Sequence, residues 1–270
     1  MPSFLNNTFA SFFNRILQFG HAGNNGTPTS TTNIQSGDGV ATSVSLSDDV
    51  LQVQPQNDDG NTFLVKNNAG NNILAVDTDN SKLLGGASQT ALNTQYAYFG
   101  TDSAGSSGFV ADQHYAITFN NSPDGSTTSN AMGSSTSSSF NDTDPASSLT
   151  IGSTADNMVL TYWYVPDNIT IDAVHWFHGA DAATGDSTAA HLMSYSIDTD
   201  NSTTSGDLSS GTVVADGATI TNAGYEQIYY QAMTVQSADV DAGKVILFTF
   251  ASDTISADYS INAIVKYHIR

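Results

Sequence analysis

Most of the chain is short apolar runs separated by Gly, Asn, Asp and Ser, and most runs alternate with a period of two. Val40, Thr42, Val44 and Leu46 alternate with small or polar residues, the period of a half-buried strand. Val50, Leu51 and Val53 continue the pattern after the Asp48-Asp49 turn. Thr62–Lys66 and Ile73–Asp77 flank Asn67–Asn72, which predicts a hairpin with a six-residue Gly/Asn loop. Lys82–Leu84 reads as one more short strand. Beyond residue 95 the runs lengthen and carry most of the aromatics. Strands are expected at 96–99, 109–119, 158–165, 169–178, 190–198, 211–215, 225–236, 244–251 and 259–269. This spacing predicts a β-sandwich of jelly-roll type. Met158–Val165 and Lys244–Phe250 are the most apolar runs and are expected at the sheet centres. Residues 120–148 hold ten Ser in 29 positions and read as a long loop inserted in the sandwich.

One segment departs from the two-residue period. Leu5, Phe9, Phe12, Phe13 and Ile16 line one face of a helix over 3–19, with Ser3 as N-cap and Gly20 as the stop. Phe4, Leu17 and Phe19 widen the apolar surface beyond what one short helix hides. The polar stretch from Gly20 to Ser36 separates it from any nearby core. The expectation is an all-β protein in three parts: an N-terminal amphipathic anchoring helix (1–20), a linker and intertwined β-shaft (21–94), and a C-terminal sandwich head (95–270). Residues 37–94 have strand periodicity but few bulky apolar groups, a poor core for one chain. Several chains sharing one core would stabilise them, with Phe63, Val65, Ile73, Leu74 and Val76 as the contacts.

Composition narrows the classes of partner. Ser, Thr, Asn, Asp and Gly together make 135 of the 270 residues, and the net charge is −20. Six Lys and Arg are too few to neutralise phosphate, so nucleic-acid binding is not expected. Docking on anionic membranes is disfavoured for the same reason, and no apolar run reaches the roughly 18 residues of a spanning helix. The N-terminus has no basic segment followed by a small-residue cleavage pattern, so a secretory signal is not expected. The absence of cysteine excludes disulfides and cysteine-based zinc sites. An aromatic fraction of 10% is too high for a disordered acidic tail.

Candidate chemistry is sparse. In His175-Trp176-Phe177-His178 the imidazoles are three residues apart, which on a strand sends them to opposite faces. His191 could join either one. Asp181, Asp186 and His191 share a Gly/Thr-rich stretch, but carboxylates are so common here that a nearby pair is expected by chance. No nucleophile elbow, phosphate loop or His-Glu-x-x-His motif occurs, and Glu226 is the one Glu. Asp77-Thr78-Asp79-Asn80 and Asp198-Thr199-Asp200-Asn201 alternate oxygen ligands without the Gly and distal Glu of a calcium loop, so Asx-turns are the simpler reading. Tyr96, Tyr98, Tyr115, Tyr162, Tyr164, Tyr225, Tyr229, Tyr230 and Tyr267 fall in or beside expected strands and read as amphipathic edge residues. No enzyme activity, metal or cofactor is expected.

Thr62–Leu84, read as TFLVKNNAGNNILAVDTDNSKLL, resembles the shafts of tailed-bacteriophage fibres: an apolar strand, an Asn/Gly turn, then a strand ending in Val-Asp before an Asn-containing turn. NTFASFFNRIL and SLSDDVLQVQP resemble N-terminal regions of structural proteins from marine tailed phages. TYWYVPDNITIDAVHWFHGAD, MSYSID, SGDLSSGTVV, NAGYEQIYYQAMTVQSADVDAGKVILFTF and YSINAIVKYHIR resemble the C-terminal sandwich of such virion surface proteins. The resemblance implies a homotrimeric fibre or capsid-decoration protein, made in the host cytoplasm and carried on the particle surface. Phage capsid or tail proteins are the implied partners of the N-terminal helix. In the alternative reading the head is a receptor-binding module for a host glycan or protein, with contacts in loops 120–148, 179–190 and 199–210. The resemblance carries no catalytic residues.

Overall fold

The computed structural model describes residues 17–19, 29–36, 39–86, 90–103, 111–120, 130–131, 159–181, 184–200, 207–224, 226–254 and 258–270. Over these residues the chain is nearly all strand, and every pairing is antiparallel. It divides into two compact units, Met1–Leu92 and Asn93–Arg270.

The first unit holds two four-stranded meanders. One is β1 (Leu17–Phe19), β2 (Thr32–Ser36), β3 (Ala41–Leu46) and β4 (Leu51–Val53). The other is β5 (Phe63–Lys66), β6 (Asn72–Asp77), β7 (Lys82–Gly85) and β8 (Thr90–Ala91). The β5–β6 hairpin closes because the Asn67 carboxamide oxygen accepts from the amides of Ala69 (3.0 Å) and Asn71 (2.9 Å). Gly70 supplies the positive φ of 83° that the turn needs. The loop is one residue shorter than expected, because Asn72 pairs with Lys66 after a register shift.

The end of the expected helix is corrected. Leu17 pairs with Ser36 and Phe19 with Ile34, so 17–19 is strand and not the last helical turn. Leu17 and Phe19 are two apart, the strand period, and did not belong to the helical face. The polar linker is likewise shorter than expected, since Thr32–Ser36 is paired. Leu5, Phe9, Phe12, Phe13 and Ile16 lie outside the described residues.

The second unit is layered like a sandwich. Its larger sheet runs β11 (Asn130–Ala131), β10 (Gln113–Ile117), β20 (Lys244–Ser252), β14 (Ser187–Ile197), β15 (Leu208–Asp216) and β18 (Thr234–Val235). To it are added β12 (Trp163–Tyr164) on β20 and β16 (Ile220–Thr221) on β14. The smaller sheet runs β17 (Gln227–Ala232), β13 (Ile169–Asp181), β21 (Asp258–Ile269) and β9 (Thr94–Ser103), with β19 (Asp239–Val240) on β13. Aromatics bridge the layers: Trp176 of β13 lies 6.4 Å from Phe248 and 6.0 Å from Phe250 of β20, ring centre to ring centre, and Phe99 of β9 lies 6.0 Å from Phe248.

A bulge makes this core possible. In β13, Ile169 and Ile171 face inward, and so do Val174, Trp176, His178 and Ala180. The step from 171 to 174 breaks the two-residue period, and the register with β21 shifts at that point. If the same sequence ran on as a regular strand without the bulge, Ala173 and His175 would enter the core and Trp176 would leave it.

Two strand expectations are corrected. Residues 158–165 do not form a central strand: Val159–Thr161 is a 3₁₀ turn, the strand pairing is confined to Trp163–Tyr164 with backbone bonds from Val165 to Lys244 and Gly243, and Pro166, which has no N–H to donate, stops it from running on. The 225–236 run is split by Met233 into β17 and β18, which join different sheets. Of the Ser-rich stretch, Asn130–Ala131 pair with Tyr115 and Ala116, and nearly all the rest lies outside the described residues.

β20 does hold the centre expected of it, pairing with β10, β12 and β14. Ile246, Phe248 and Phe250 point between the sheets, while Val245 and Leu247 pack on the other face with Met193, Tyr195 and Leu208. Truncating either set should therefore be costly. Phe248→Ala is expected to destabilise the protein by about 3–5 kcal/mol and Leu247→Ala by about 2–5 kcal/mol, against about 0.5 kcal/mol or less for the exposed Tyr164→Ala. Urea unfolding monitored by tryptophan fluorescence measures all three, and a neutral Leu247→Ala would mean that the second face is not packed.

Candidate functional site

The densest polar chemistry among the described residues lies at one end of the sandwich, where β13, β14 and β21 meet. His178 ends the inward row of β13 and is buried. Its Nε2 lies 3.0 Å from the Asn222 carboxamide oxygen, which makes Nε2 the protonated nitrogen. Asn222 Nδ2 donates to the Tyr259 hydroxyl (3.4 Å), and Tyr259 donates to Asp186 Oδ2 (3.4 Å). Ser252 lies 3.1 Å from the same hydroxyl, and Thr254 donates to Asp186 Oδ2 at 3.5 Å. The His178 ring is flanked by Trp176 and Tyr229, each 4.9 Å away and nearly parallel.

This chain of donors ends on a carboxylate, yet His178, Asn222, Asp186 and Tyr259 are all closed off from solvent. A substrate cannot reach a base that the core encloses. The network satisfies most of these buried polar atoms, His178 Nδ1 excepted, and fixes how the strand ends meet. Burial is the main reason the His178 pKa is lowered, partly opposed by the Asn222 hydrogen bond. Burial likewise pushes the Tyr259 hydroxyl up to about 12.

The other histidines separate. His175 is on the opposite face of β13 from His178, stacked on Tyr230 with Nδ1 2.9 Å from its hydroxyl. His191 joins neither. It sits on the outer face of the larger sheet, 5.0 Å from His114 by ring centres, with Nε2 3.2 Å from Asp216. Asp186 belongs to the polar network and His191 does not, so the Asp181, Asp186 and His191 stretch is not one site. Asp77 is the acceptor of an Asx-turn, bonding the Asn80 amide at 2.9 Å and its Nδ2 at 3.0 Å, and Asp198 accepts from the Asp200 amide at 3.0 Å. Among the described residues, no group of three or more His, Asp or Glu is arranged to hold a metal ion. A pocket of about 90 Å³ lined by Gln95, Trp163, Asp167 and Tyr267 is well below the roughly 300–1,000 Å³ of small-molecule sites.

The expected shaft residues sit as one antiparallel block: Phe63 opposes Val76, Val65 opposes Leu74, and Ile73 precedes them. Phe63, Val65 and Ile73 are exposed (39, 40 and 54%), and Leu74 and Val76 are half-buried. In the first unit only Ala75 and Leu84 are buried hydrophobics among the described residues.

The second unit has an apolar surface of its own, on the outer face of its smaller sheet. Alternation in β9 buries Ala97 and Phe99 and exposes Tyr96 and Tyr98. Across the sheet, Tyr98 opposes Ile264 of β21, which opposes His175 of β13. On β17, Tyr230 opposes Phe177 and Ile228 opposes Gly179. Sequence alternation shows which tyrosines point out, but the order of strands that gathers them is a tertiary fact.

No family model and no curated protein matches this chain.

The buried histidine makes a pH prediction. Folded His178 holds its proton less tightly than unfolded His178, so below about pH 6.5 the unfolded chain takes up the extra proton. Its contribution is complete above that pH and is lost as pH falls, at up to about 1.4 kcal/mol per unit. Unfolding free energy from urea titrations at pH 7.5 and 5.0 should fall less steeply in His178→Gln than in the wild type. Equal slopes would show that His178 does not titrate from a buried site.

Proposed function

We propose that the chain is a structural protein of a tailed-phage particle surface, a homotrimeric fibre or decoration protein attached through its N-terminus. The observation that carries this reading is the uncovered apolar surface of the first unit. Val40, Leu51, Phe63, Val65, Ile73 and Leu83 are exposed on short meanders, at up to 66% for Leu51. Meanders of two- to six-residue strands need a covered face to persist in water, and further copies of the same meanders match it in length. In this reading residues 21–94 are the intertwined shaft and Phe63, Val65, Ile73, Leu74 and Val76 its contacts. The head is a jelly-roll type of sandwich, supported by the connections that cross between its sheets at β9–β10, β12–β13, β13–β14, β16–β17, β17–β18, β18–β19, β19–β20 and β20–β21.

Composition supports an exterior role. A surface of Ser, Thr, Asn and Asp with six Lys and Arg in 270 residues offers few trypsin sites and little nonspecific attraction to polyanions. Light scattering on the purified full-length chain is expected to give about 85 kDa, three chains of 28.3 kDa. A monomer mass at micromolar concentration would sink the reading.

Attachment is assigned to Leu5, Phe9, Phe12, Phe13 and Ile16, which precede β1. Arg15 is the one basic residue before Lys66, so docking to a capsid or tail groove should be hydrophobic and insensitive to salt. A chain with Phe9→Asp and Phe12→Asp is expected to fold and assemble yet be missing from purified particles. Incorporation at wild-type copy number would show that the anchor lies elsewhere.

A further inference from the structure

We propose that the pocket between the start of β9, the end of β12 and the end of β21 receives the alkylammonium side chain of a lysine presented by a basic partner protein. The pocket is built from the second unit alone, so the inference is independent of how copies of the chain assemble.

Strand ends create the pocket. Gln95 lies at the start of β9, Ile169 at the start of β13 and Tyr267 near the end of β21, while Trp163 of β12 is followed closely by Pro166 and Asp167. Its walls are apolar: Trp163 and Ile169 are buried, and the Pro166 ring stands at the mouth. Phe119 stacks on Trp163 at 5.9 Å and Tyr267 packs on it at 5.0 Å, so this wall is in place before anything docks. A volume of about 90 Å³ is too little for a drug-sized molecule and leaves room for a short chain of carbons.

The rim is rich in acceptors. Tyr267 donates its one hydroxyl proton to Gln95 Oε1 at 2.9 Å, so both oxygens keep lone pairs for a further donor. Burial raises the Tyr267 pKa, which keeps that proton in place. Asp167 adds an exposed carboxylate that bonds to no described residue. The cations of the adjoining strands are engaged elsewhere: Arg270 with Asp239 and Asp241 at 3.2 Å each, and Lys244 with Ser196 at 2.8 Å. A lysine brings three N–H donors on a stem of four methylenes, which matches acceptors set around an apolar floor.

Charge and size choose among ligands. A chain of −20 concentrates cations at its surface and repels anions. A divalent metal needs several oxygen ligands, and no acidic group of that kind is gathered among the described residues. A free amine held by one exposed carboxylate binds weakly, so the lysine belongs to a protein whose further contacts add to this anchor. A second copy brings another −20, which makes the complementary partner a different, basic protein.

n-Butylamine, protonated at neutral pH, stands in for the lysine side chain, and an acetyl-Gly-Lys-Gly-amide peptide presents the same group on a backbone. Saturation-transfer NMR on the full-length protein would measure the affinity for each, with n-butanol and methyl glucoside as uncharged probes. The expected result is weak binding of both lysine probes that falls about threefold or more in Asp167→Asn and falls again between about 0.01 and 0.15 M salt. Asp49→Asn, which removes an exposed carboxylate of the first unit, should leave the affinity unchanged. No binding, or an equal loss in the two variants, would show that the pocket is not the site. Butanol or glucoside binding as well as butylamine overturns the ammonium assignment. Butylamine that binds where the peptide does not overturns the protein partner. None of these outcomes bears on the mass measurement that tests trimeric assembly.

Discussion

Phe248 and Leu247 leave β20 in opposite directions and both are wholly buried. A strand covered on both faces must have neighbours on both edges and layers on both sides, and the second unit is organised by that demand. β10 and β14 pair along its edges. Trp176 and Phe99 reach it from the facing sheet, while Met193, Tyr195 and Leu208 close its other side. Each large side chain is worth about 2–5 kcal/mol against truncation, which is comparable with a domain's whole net stability of about 5–15 kcal/mol. The smaller sheet carries no such double burden. Only its inner face is required for folding, which leaves its outer face available for other work.

The polar cluster at the end of the sandwich is held by local hydrogen bonds, without Lys or Arg. His178, Asn222, Tyr259 and Ser252 are held neutral in a closed network that ends on the one carboxylate, Asp186. With no Lys or Arg between Lys82 and Lys244, an ion pair to a long basic side chain from that stretch is not an option, and hydroxyls and carboxamides take its place. The same scarcity shapes the turns, where Asn67 and Asp77 cap hairpins through their own side chains.

Periodicity made much of this legible. The Asn67–Asn71 hairpin, the long strands at 169–181, 187–197, 244–252 and 258–269, and the divergence of His175 and His178 all follow from a two-residue repeat and from turn chemistry. What escaped depends on events between strands. The Asp172–Ala173 bulge changes which residues face inward, and it exists only because β13 must match β21. The run 158–165 is as apolar as a central strand, but Trp163 fills the core from a two-residue bridge and Pro166 ends it. His114 and His191 are 77 positions apart and meet because β10 and β14 flank β20, so no local signal could pair them. Residues 17 and 19 fitted a helix poorly and a strand well, and only the partner Thr32–Ser36 decides between them.

The division of labour between the units follows from where apolar area is left over. Among the described residues, the second unit buries most of its large apolar side chains, whereas the first leaves most of its own exposed or half-exposed. A chain with a charge of −20 gains little from electrostatic attraction between identical copies, so any association between them would need apolar contact at places where carboxylates are absent or already neutralised. The exposed strands of the first unit come nearest to that condition. The β5–β7 strands that expose Phe63, Val65, Ile73 and Leu83 carry Lys66 and Lys82, two of the six cations, against Asp77, which is buried and bonded within its turn. The outer face of the smaller sheet carries Lys266 and has Arg270 bonded to Asp239 and Asp241 at its foot, while the register places Asp102, Asp181 and Asp258 at its other end. Four of the six basic residues thus lie on or beside strands that expose apolar side chains, so the chain's few positive charges coincide with its uncovered apolar surface.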